Sequence, residues 1–257
     1  VTRLAVFTDL DGTLLETGTY DCSAAHSTLA TLKARGAVVV AVTSRTRAEV
    51  ERLFGELAMT PAGIVENGSV IHMTENGAAR EIVLGCTLAE ATLALARLQA
   101  ALSVPLTSLG ALPVTDVARI TGLSEAEAAL AIRREHSHVI LPPPEIPFAV
   151  AARVAAELGV RLIEGDRFWH LVGAGVEKGR AVRMLRASLT DDFAQTIGLG
   201  NGPSDAGLLE AVDVPIVVPG PSGPHHALVA RGWAVAPGPG PAGWAAAVTA
   251  VLSSMDA

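Results

Sequence analysis

The chain has 257 residues, half of them hydrophobic, 18% charged and only 4% aromatic, with a formal net charge of −7. That composition excludes a disordered polypeptide, which could not bury enough apolar surface to offset its chain entropy. The acidity argues against a nucleic-acid groove, and no uninterrupted apolar run reaches the roughly 18 residues of a membrane span. Neither nucleic acid nor membrane is therefore expected as a partner. An anionic substrate stays compatible, because a metal ion and a few basic side chains can reverse the local field. Cys22 and Cys86 stand far apart and form no metal or redox spacing. Val1 to Phe7 is too short for a signal-peptide core, so the chain reads as cytoplasmic.

The first expected strand is Leu4 to Thr8, short and apolar as a strand buried on both faces should be. A helix is expected from about Ser23 to Ala34, with Gly36 as its C-cap. Ala37–Val42 is a second buried strand, about Arg47 to Leu57 a helix, and Gly63–Val65 a third strand. This alternation predicts an open parallel sheet with right-handed crossovers. Such sheets bind ligands beyond the carboxyl ends of their strands. Ser69–Met73 and Arg80–Leu84 predict a hairpin around Glu75, Asn76 and Gly77.

Next come helices at about Thr87–Leu102 and Glu125–Arg134, the second opened by a Ser124/Glu127 capping box. Strands are expected at Val139–Leu141, stopped by three prolines, and at Val160–Glu164, with a helix from Phe148 to Leu158 between them. This texture predicts an inserted α/β domain over about 83–165, between core segments 1–82 and 166–257. From Glu177 the parallel rhythm returns: helix to Leu189, strand Thr196–Leu199, helix near Asp205–Val212, strand Val214–Val218, and a last helix from about Pro241 to Leu252. The fold class is therefore α/β, a Rossmann-like parallel-sheet core carrying an inserted α/β cap.

Four polar clusters fall at the strand ends. Asp9 and Asp11 are two carboxylates two residues apart, in a turn that Gly12 sharpens. One could attack phosphorus while the other moves the leaving-group proton. Thr43, Ser44 and Arg45 offer hydroxyls, free backbone N–H groups and a guanidinium to phosphoryl oxygens. Lys178 opens a helix against the helix dipole, which favours a functional reason for it. Asn201 and Asp205 stand in a Gly-rich loop suited to a hard cation.

In that order the clusters resemble the haloacid dehalogenase-like phosphatases of the large α/β-cap subgroup. Asp9-Leu10-Asp11-Gly12-Thr13 matches the first family motif, Thr43 the second, Lys178 the third, and Gly200 through Asp205 the fourth. Val42-Thr43-Ser44-Arg45-Thr46 with Glu49, Val65-Glu66-Asn67-Gly68, Thr121-Gly122-Leu123-Ser124 and the run from Gly165 through Arg167, Phe168 and Trp169 to His170 further resemble mannosyl-3-phosphoglycerate phosphatases. The resemblance implies Asp9 as nucleophile and Asp11 as acid/base, with Thr43 and Lys178 neutralising the phosphoryl group. It implies Mg²⁺ held by Asp9, Asp11, Asn201 and Asp205. Ser44, Arg45, Asn67, Gly68, Arg167 and His170 would bind a small phosphorylated sugar–glycerate substrate. Where the family reads Gly-Asp-x-x-Asn-Asp, this chain has Asn201 and Ser204, which removes one negative charge from the metal site. The same motifs admit another sugar-phosphate phosphatase (glucosyl-3-phosphoglycerate, sucrose phosphate or hexose phosphate), a phosphomutase, or a binding homologue weakened catalytically at Asn201.

Overall fold

In the computed structural model, which describes residues 3–57, 62–75, 78–188 and 193–256, the first apolar run forms β1 (Arg3–Thr8). Leu4 to Phe7 are buried, which is why the strand reads as a continuous hydrophobic run without alternation. After a 3-10 turn at Ser23–Ala25 comes α1 (His26–Ala34), with Gly36 in the left-handed region just beyond it. β2 (Val38–Val42), α2 (Arg47–Glu56) and β3 (Gly63–Val65) follow. Thr46 and Glu49 cap α2 reciprocally: Glu49 N donates to Thr46 Oγ1 at 3.3 Å, and Thr46 N donates to Glu49 Oε2 at 2.8 Å. β4 (Val70–Glu75) and β5 (Ala78–Val83) make the hairpin. Its expected turn residues Asn76 and Gly77 lie outside the described residues, as does Leu189.

The chain then leaves the large sheet. It runs through α3 (Leu88–Leu102), α4 (Val114–Thr121), α5 (Glu125–Ala131), β6 (His138–Ile140), α6 (Phe148–Glu157), β7 (Val160–Glu164) and β8 (Trp169–Gly173). β8 lies antiparallel between β6 and β7 in a three-stranded sheet. The sequence reading missed α4 and β8. β8 is buried throughout, but its polar His170 breaks the apolar run that would have marked it. The boundary expected at 165 therefore falls between two paired strands, and the small sheet extends to Gly173.

Back in the core come α7 (Lys178–Ser188), β9 (Phe193–Gly200), α8 (Ala206–Glu210), β10 (Val214–Val217), α9 (His226–Val229), β11 (Ala234–Val235) and α10 (Gly240–Met255). The helix expected over 205–212 is shorter, a 3-10 turn at Pro203–Asp205 leading into α8. The large sheet has the order β11-β10-β9-β1-β2-β3-β4-β5. It is parallel from β11 to β3 and antiparallel at β4 and β5. One face packs against α1 and α10, with Trp244 fully buried; the other packs against α7 and α8. A separate cluster around Leu98, Ile140 and Leu171 holds the small sheet to α3 and α6. No helix among the described residues is long and apolar enough to cross a membrane.

Register decides where the chemistry gathers. Thr8 pairs with Ala41 on one side and Leu199 on the other, so β1, β2 and β9 end almost level. Asp9, Thr43 and Asn201 leave the sheet along one edge, the carboxyl edge at which open parallel sheets bind ligands.

Candidate active site

Asp9 is the first residue past β1, and its backbone N donates to Leu199 O at 2.9 Å, tying it to β9. Its side chain is buried beside a lysine that joins two carboxylates: Lys178 Nζ donates to Asp9 Oδ1 at 2.8 Å and to Asp205 Oδ1 at 2.6 Å. Burial pushes the Asp9 carboxyl up to about 7; the Asp205 charge adds to the rise, and Lys178 opposes it. Burial also works against the Lys178 charge, but Asp205 and Asp9 outweigh it and hold the ammonium above its ordinary range. A cation fixed between two carboxylates is a preorganised counter-charge for a phosphoryl group.

Lys178 reaches this position because α7 and α8 approach without side chains between them. A Cβ on Gly179 would collide with the backbone of Gly207. The Asp205 carboxylate also organises the loop before α8, since its Oδ2 accepts from the backbone N–H groups of Asn201 and Gly202, each at 3.0 Å.

Asp11 is held by Arg45. The guanidinium reaches the Asp11 carboxylate from Nη2 and Nε, donates from Nη1 to Glu49 Oε1 at 3.2 Å, and lies over the Tyr20 ring at 4.8 Å from its centroid. Burial opposes the Arg45 charge, yet Asp11 and Glu49 raise its pKa. Gly12 turns the chain at φ 73°, and a Cβ there would strike the Asn201 amide. That close approach lets Asn201 Nδ2 donate to the Asp11 carbonyl at 3.1 Å.

These groups line a cavity of about 530 Å³ between the large sheet and the inserted unit. Of the residues singled out in the sequence, Asp9, Asp11, Ser44, Arg45, Asn67, Arg167, His170, Lys178 and Asn201 line it, whereas Thr43, Gly68 and Asp205 do not. Thr43 is fully buried, and its hydroxyl accepts from Arg45 N at 3.1 Å. Gly68, at φ 99°, lets the chain pass against Glu177 and Lys178. Asp205 is 1% exposed behind Lys178, so it bears on the cavity through the lysine and the 201–202 loop. Arg167 is exposed at the mouth, where its Nη2 donates to the Thr121 carbonyl at 2.9 Å and to Tyr20 Oη at 3.2 Å. His170 is buried, with Nδ1 unpartnered. Burial, with Arg134 and Lys178 nearby, pushes its pKa down to about 3, so the imidazole is neutral.

Two residues, Tyr20 and Glu66, were passed over in the sequence reading of the site, which weighed Arg134 only as one of several basic cap residues for a carboxylate-bearing substrate. Tyr20 bridges the core loop to the inserted unit through Arg167. Arg134 lines the cavity from the far side. Glu66 accepts from Glu135 N at 2.8 Å, His136 N at 3.1 Å and Ser137 Oγ at 2.5 Å. A buried acid directly before Asn67 and the status of Tyr20 as the single tyrosine were the available signals.

The Asp9 carboxylate, the Asp11 carbonyl and the Asn201 side-chain oxygen would make a hard oxygen set suited to Mg²⁺ once the Asn201 amide, whose Nδ2 now donates to the Asp11 carbonyl, is turned over. Among the described residues no cluster of three or more His, Cys, Asp or Glu side chains could hold a metal.

A parallel sheet whose central strand ends on a buried aspartate, with a lysine and an acidic loop brought in from later strands, defines a haloacid dehalogenase-like hydrolase. Residues 6–94 match that hydrolase family. The chain is 31% identical over 255 residues to the glucosyl-3-phosphoglycerate/mannosyl-3-phosphoglycerate phosphatase of Methanococcoides burtonii, covering 93% of each chain. It is 28% identical over 267 residues to the protein of the same name from Persephonella marina, covering 98% of each. The chain belongs to this family of phosphatases. Its fold is also that of a Thermoplasma acidophilum protein, with a TM-score of 0.71 at 16% identity over 100% of this chain and 99% of that one. The Synechocystis sucrose-phosphatase has a TM-score of 0.65 at 15% identity over 98% of each chain.

Proposed function

We propose that the protein hydrolyses the phosphate monoester of a sugar-linked glycerate, mannosyl-3-phosphoglycerate foremost, to mannosylglycerate and phosphate. The observation that carries this reading is the buried Asp9–Lys178 pair at the sheet edge, facing a cavity lined by guanidinium groups. Asp9 Oδ attacks phosphorus while the bond from phosphorus to the glycerate oxygen breaks, and Asp11 gives that oxygen its proton. Water then attacks the aspartyl-phosphate and gives a proton to Asp11, which releases phosphate and restores both carboxyl groups. Lys178 balances the charge of the phosphoryl oxygens, and Thr43 shapes the loop that carries Ser44 and Arg45. Positioning and charge compensation supply most of the catalysis in such a transfer.

Asp9, the Asp11 carbonyl and Asn201 would hold Mg²⁺, with Asp205 supporting the loop; when bound, the ion supplies further neutralisation of the phosphoryl group. Asn67, Arg167 and His170 are read as substrate-binding, with Gly68 serving them by letting the chain after Asn67 pass against Glu177 and Lys178. The unit expected at 83–165, extended to β8, acts as a cap that keeps bulk water out during the first step. The reaction is placed in the cytoplasm, with which the free thiols of Cys22 and Cys86 are compatible. Glucosyl-3-phosphoglycerate is the second substrate to test, because the relatives' names carry both sugars.

The test is phosphate release with Mg²⁺ across mannosyl- and glucosyl-3-phosphoglycerate, sucrose phosphate and hexose phosphates. Higher kcat/KM on the two phosphoglycerate esters is expected. A clear preference for esters without a carboxylate would sink the reading.

A further inference from the structure

Three residues that line the cavity carry a polar nitrogen with no hydrogen bond among the described residues. Asn67 Nδ2 and His170 Nδ1 are buried without a hydrogen bond, and both residues line the cavity with Lys178. Arg134 lines it too, with its side chain 8% exposed. Its Nε donates to Ser137 Oγ at 2.8 Å and its Nη2 to the Ser44 carbonyl at 2.7 Å. Nη1 makes no hydrogen bond among the described residues. Burying polar groups unpaired costs free energy, so the Asn67 and His170 nitrogens, beside a guanidinium that reaches the same cavity, point to a ligand.

The other two guanidinium groups of the cavity are placed differently. Arg45 is already bonded to Asp11 and Glu49. Arg167 is exposed and joins the two sides of the mouth. Arg134 alone of the three combines burial with an open nitrogen, and it is held still by the core. Glu66 Oε2 lies 3.7 Å from Arg134 Nε, and the same carboxylate accepts the backbone N–H groups of Glu135 and His136. Glu66 itself sits at φ 49°, a conformation that costs free energy for a residue with a Cβ. The strain is held where the core grips the loop that carries Arg134.

We propose that Arg134, positioned by Glu66, receives the carboxylate of an anionic leaving group, with His170 and Asn67 bonding to the oxygens beside it. This rests on the reading of the protein as a phosphatase for glycerate esters, and it names the residue that selects for the acid. A guanidinium fork fixed through two of its nitrogens meets a planar carboxylate with little ordering left to do, whereas an ammonium group lacks that geometry.

The test compares two esters that differ by the carboxylate, 3-phosphoglycerate and glycerol 3-phosphate, and measures D-glycerate as a competitive inhibitor of p-nitrophenyl phosphate hydrolysis. Arg134→Gln should lower the kcat/KM ratio of the first ester to the second, and weaken D-glycerate inhibition, each by about tenfold or more. Arg134→Lys keeps the charge beside Glu66 and should lower both as well; it carries the test if the glutamine variant does not fold. Unchanged ratio and inhibition in these variants would overturn the proposal. Recovery of both values in an Arg134→Gln/Glu66→Gln double variant would also overturn it, by showing that Arg134 only neutralises Glu66. A wild-type protein that prefers hexose phosphates, yet loses glycerate inhibition at Arg134→Gln, would sink the substrate reading and keep this site. Hydrolysis of mannosyl-3-phosphoglycerate by wild type, with inhibition unchanged in the variant, would do the reverse.

Discussion

Arg45 grips both carboxylate oxygens of Asp11, with Nη2 at 2.6 Å from Oδ1 and Nε at 3.0 Å from Oδ2 and 3.2 Å from Oδ1. Its remaining nitrogen serves Glu49, which burial pushes toward the neutral form and Arg45 pulls back. Arg45→Met should therefore destabilise the protein by roughly 3 kcal/mol, chiefly by leaving Glu49 buried without its counter-charge. Adding Glu49→Gln should restore about half of that loss. Urea midpoints of the three proteins check this, and an unshifted midpoint for Arg45→Met would mean that water already solvates Glu49.

Asp9→Asn should lower phosphate release by about a thousandfold or more, as loss of a nucleophile does, and should also reveal a stability cost of the native aspartate. The Asp9 carboxyl is raised from 3.8 to about 7 by burial and by Asp205. Its favourable contribution is thus complete below the unfolded value and is lost as pH rises from about 4 through about 7. In metal-free buffer the variant should melt above wild type at pH 8, with a smaller gap at pH 5. A gap that widened toward pH 5 would contradict the raised pKa.

Asn201→Asp would set a carboxylate against the Asp11 carbonyl, where the amide now donates at 3.1 Å. Without metal the two oxygens repel, so the variant should melt below wild type. With Mg²⁺ it should gain more thermal stability than wild type, and its half-saturating Mg²⁺ concentration should fall by about tenfold, or roughly 1.4 kcal/mol. Equal Mg²⁺ responses in thermal melts and in initial rates would remove residue 201 from the metal site.

The mouth of the cavity offers a graded comparison. Arg167→Ala removes the bonds to Tyr20 and Thr121 together with any contact to substrate, and should raise KM for the phosphoglycerate ester by about tenfold, as loss of a charged hydrogen bond does. Tyr20→Phe deletes only the hydroxyl, which accepts from Arg167 at 3.2 Å and donates to the Thr121 carbonyl at 3.4 Å, and should raise KM about threefold, as loss of weak surface bonds does. If Tyr20→Phe changes nothing while Arg167→Ala keeps its full effect, Arg167 acts on substrate or through its own bond to Thr121, and not through the tyrosine.

The residues at the strand ends were legible because each lies at a fixed offset from a buried apolar run: Asp9 after β1, Thr43 after β2, Asn201 after β9. Sheet register then brings them level, and register follows from which strands are parallel neighbours. What the sequence did not disclose are contacts between distant positions without a shared pattern. Tyr20 meets Thr121 across 101 residues, and Glu66 meets Ser137 across 71. Spacing could place Arg134 near a helix end but not over a cavity. Nor could it separate Arg134 from Arg167 by burial, which depends on how β6 and β8 pair. Asp205 was legible as an acid of the site, but its position behind Lys178 depends on how closely α8 approaches α7.

That approach has a consequence for how the site can change. At the crossing of α7 and α8 the nearest neighbours are Gly179 and Gly207, two residues without side chains, each one or two positions from a charge of the site. A single methyl group on Gly179 would act as a wedge against the backbone of Gly207, driving the helix that carries Lys178 away from the turn that carries Asp205. The separation of the ammonium from Asp205 is thus gauged by a missing carbon, at a spot outside the lining of the cavity. Enlarging Gly179 would silence the reaction with every reacting group still present in the chain, whereas a methyl on Gly207 meets the end of the Glu177 side chain, which can turn aside.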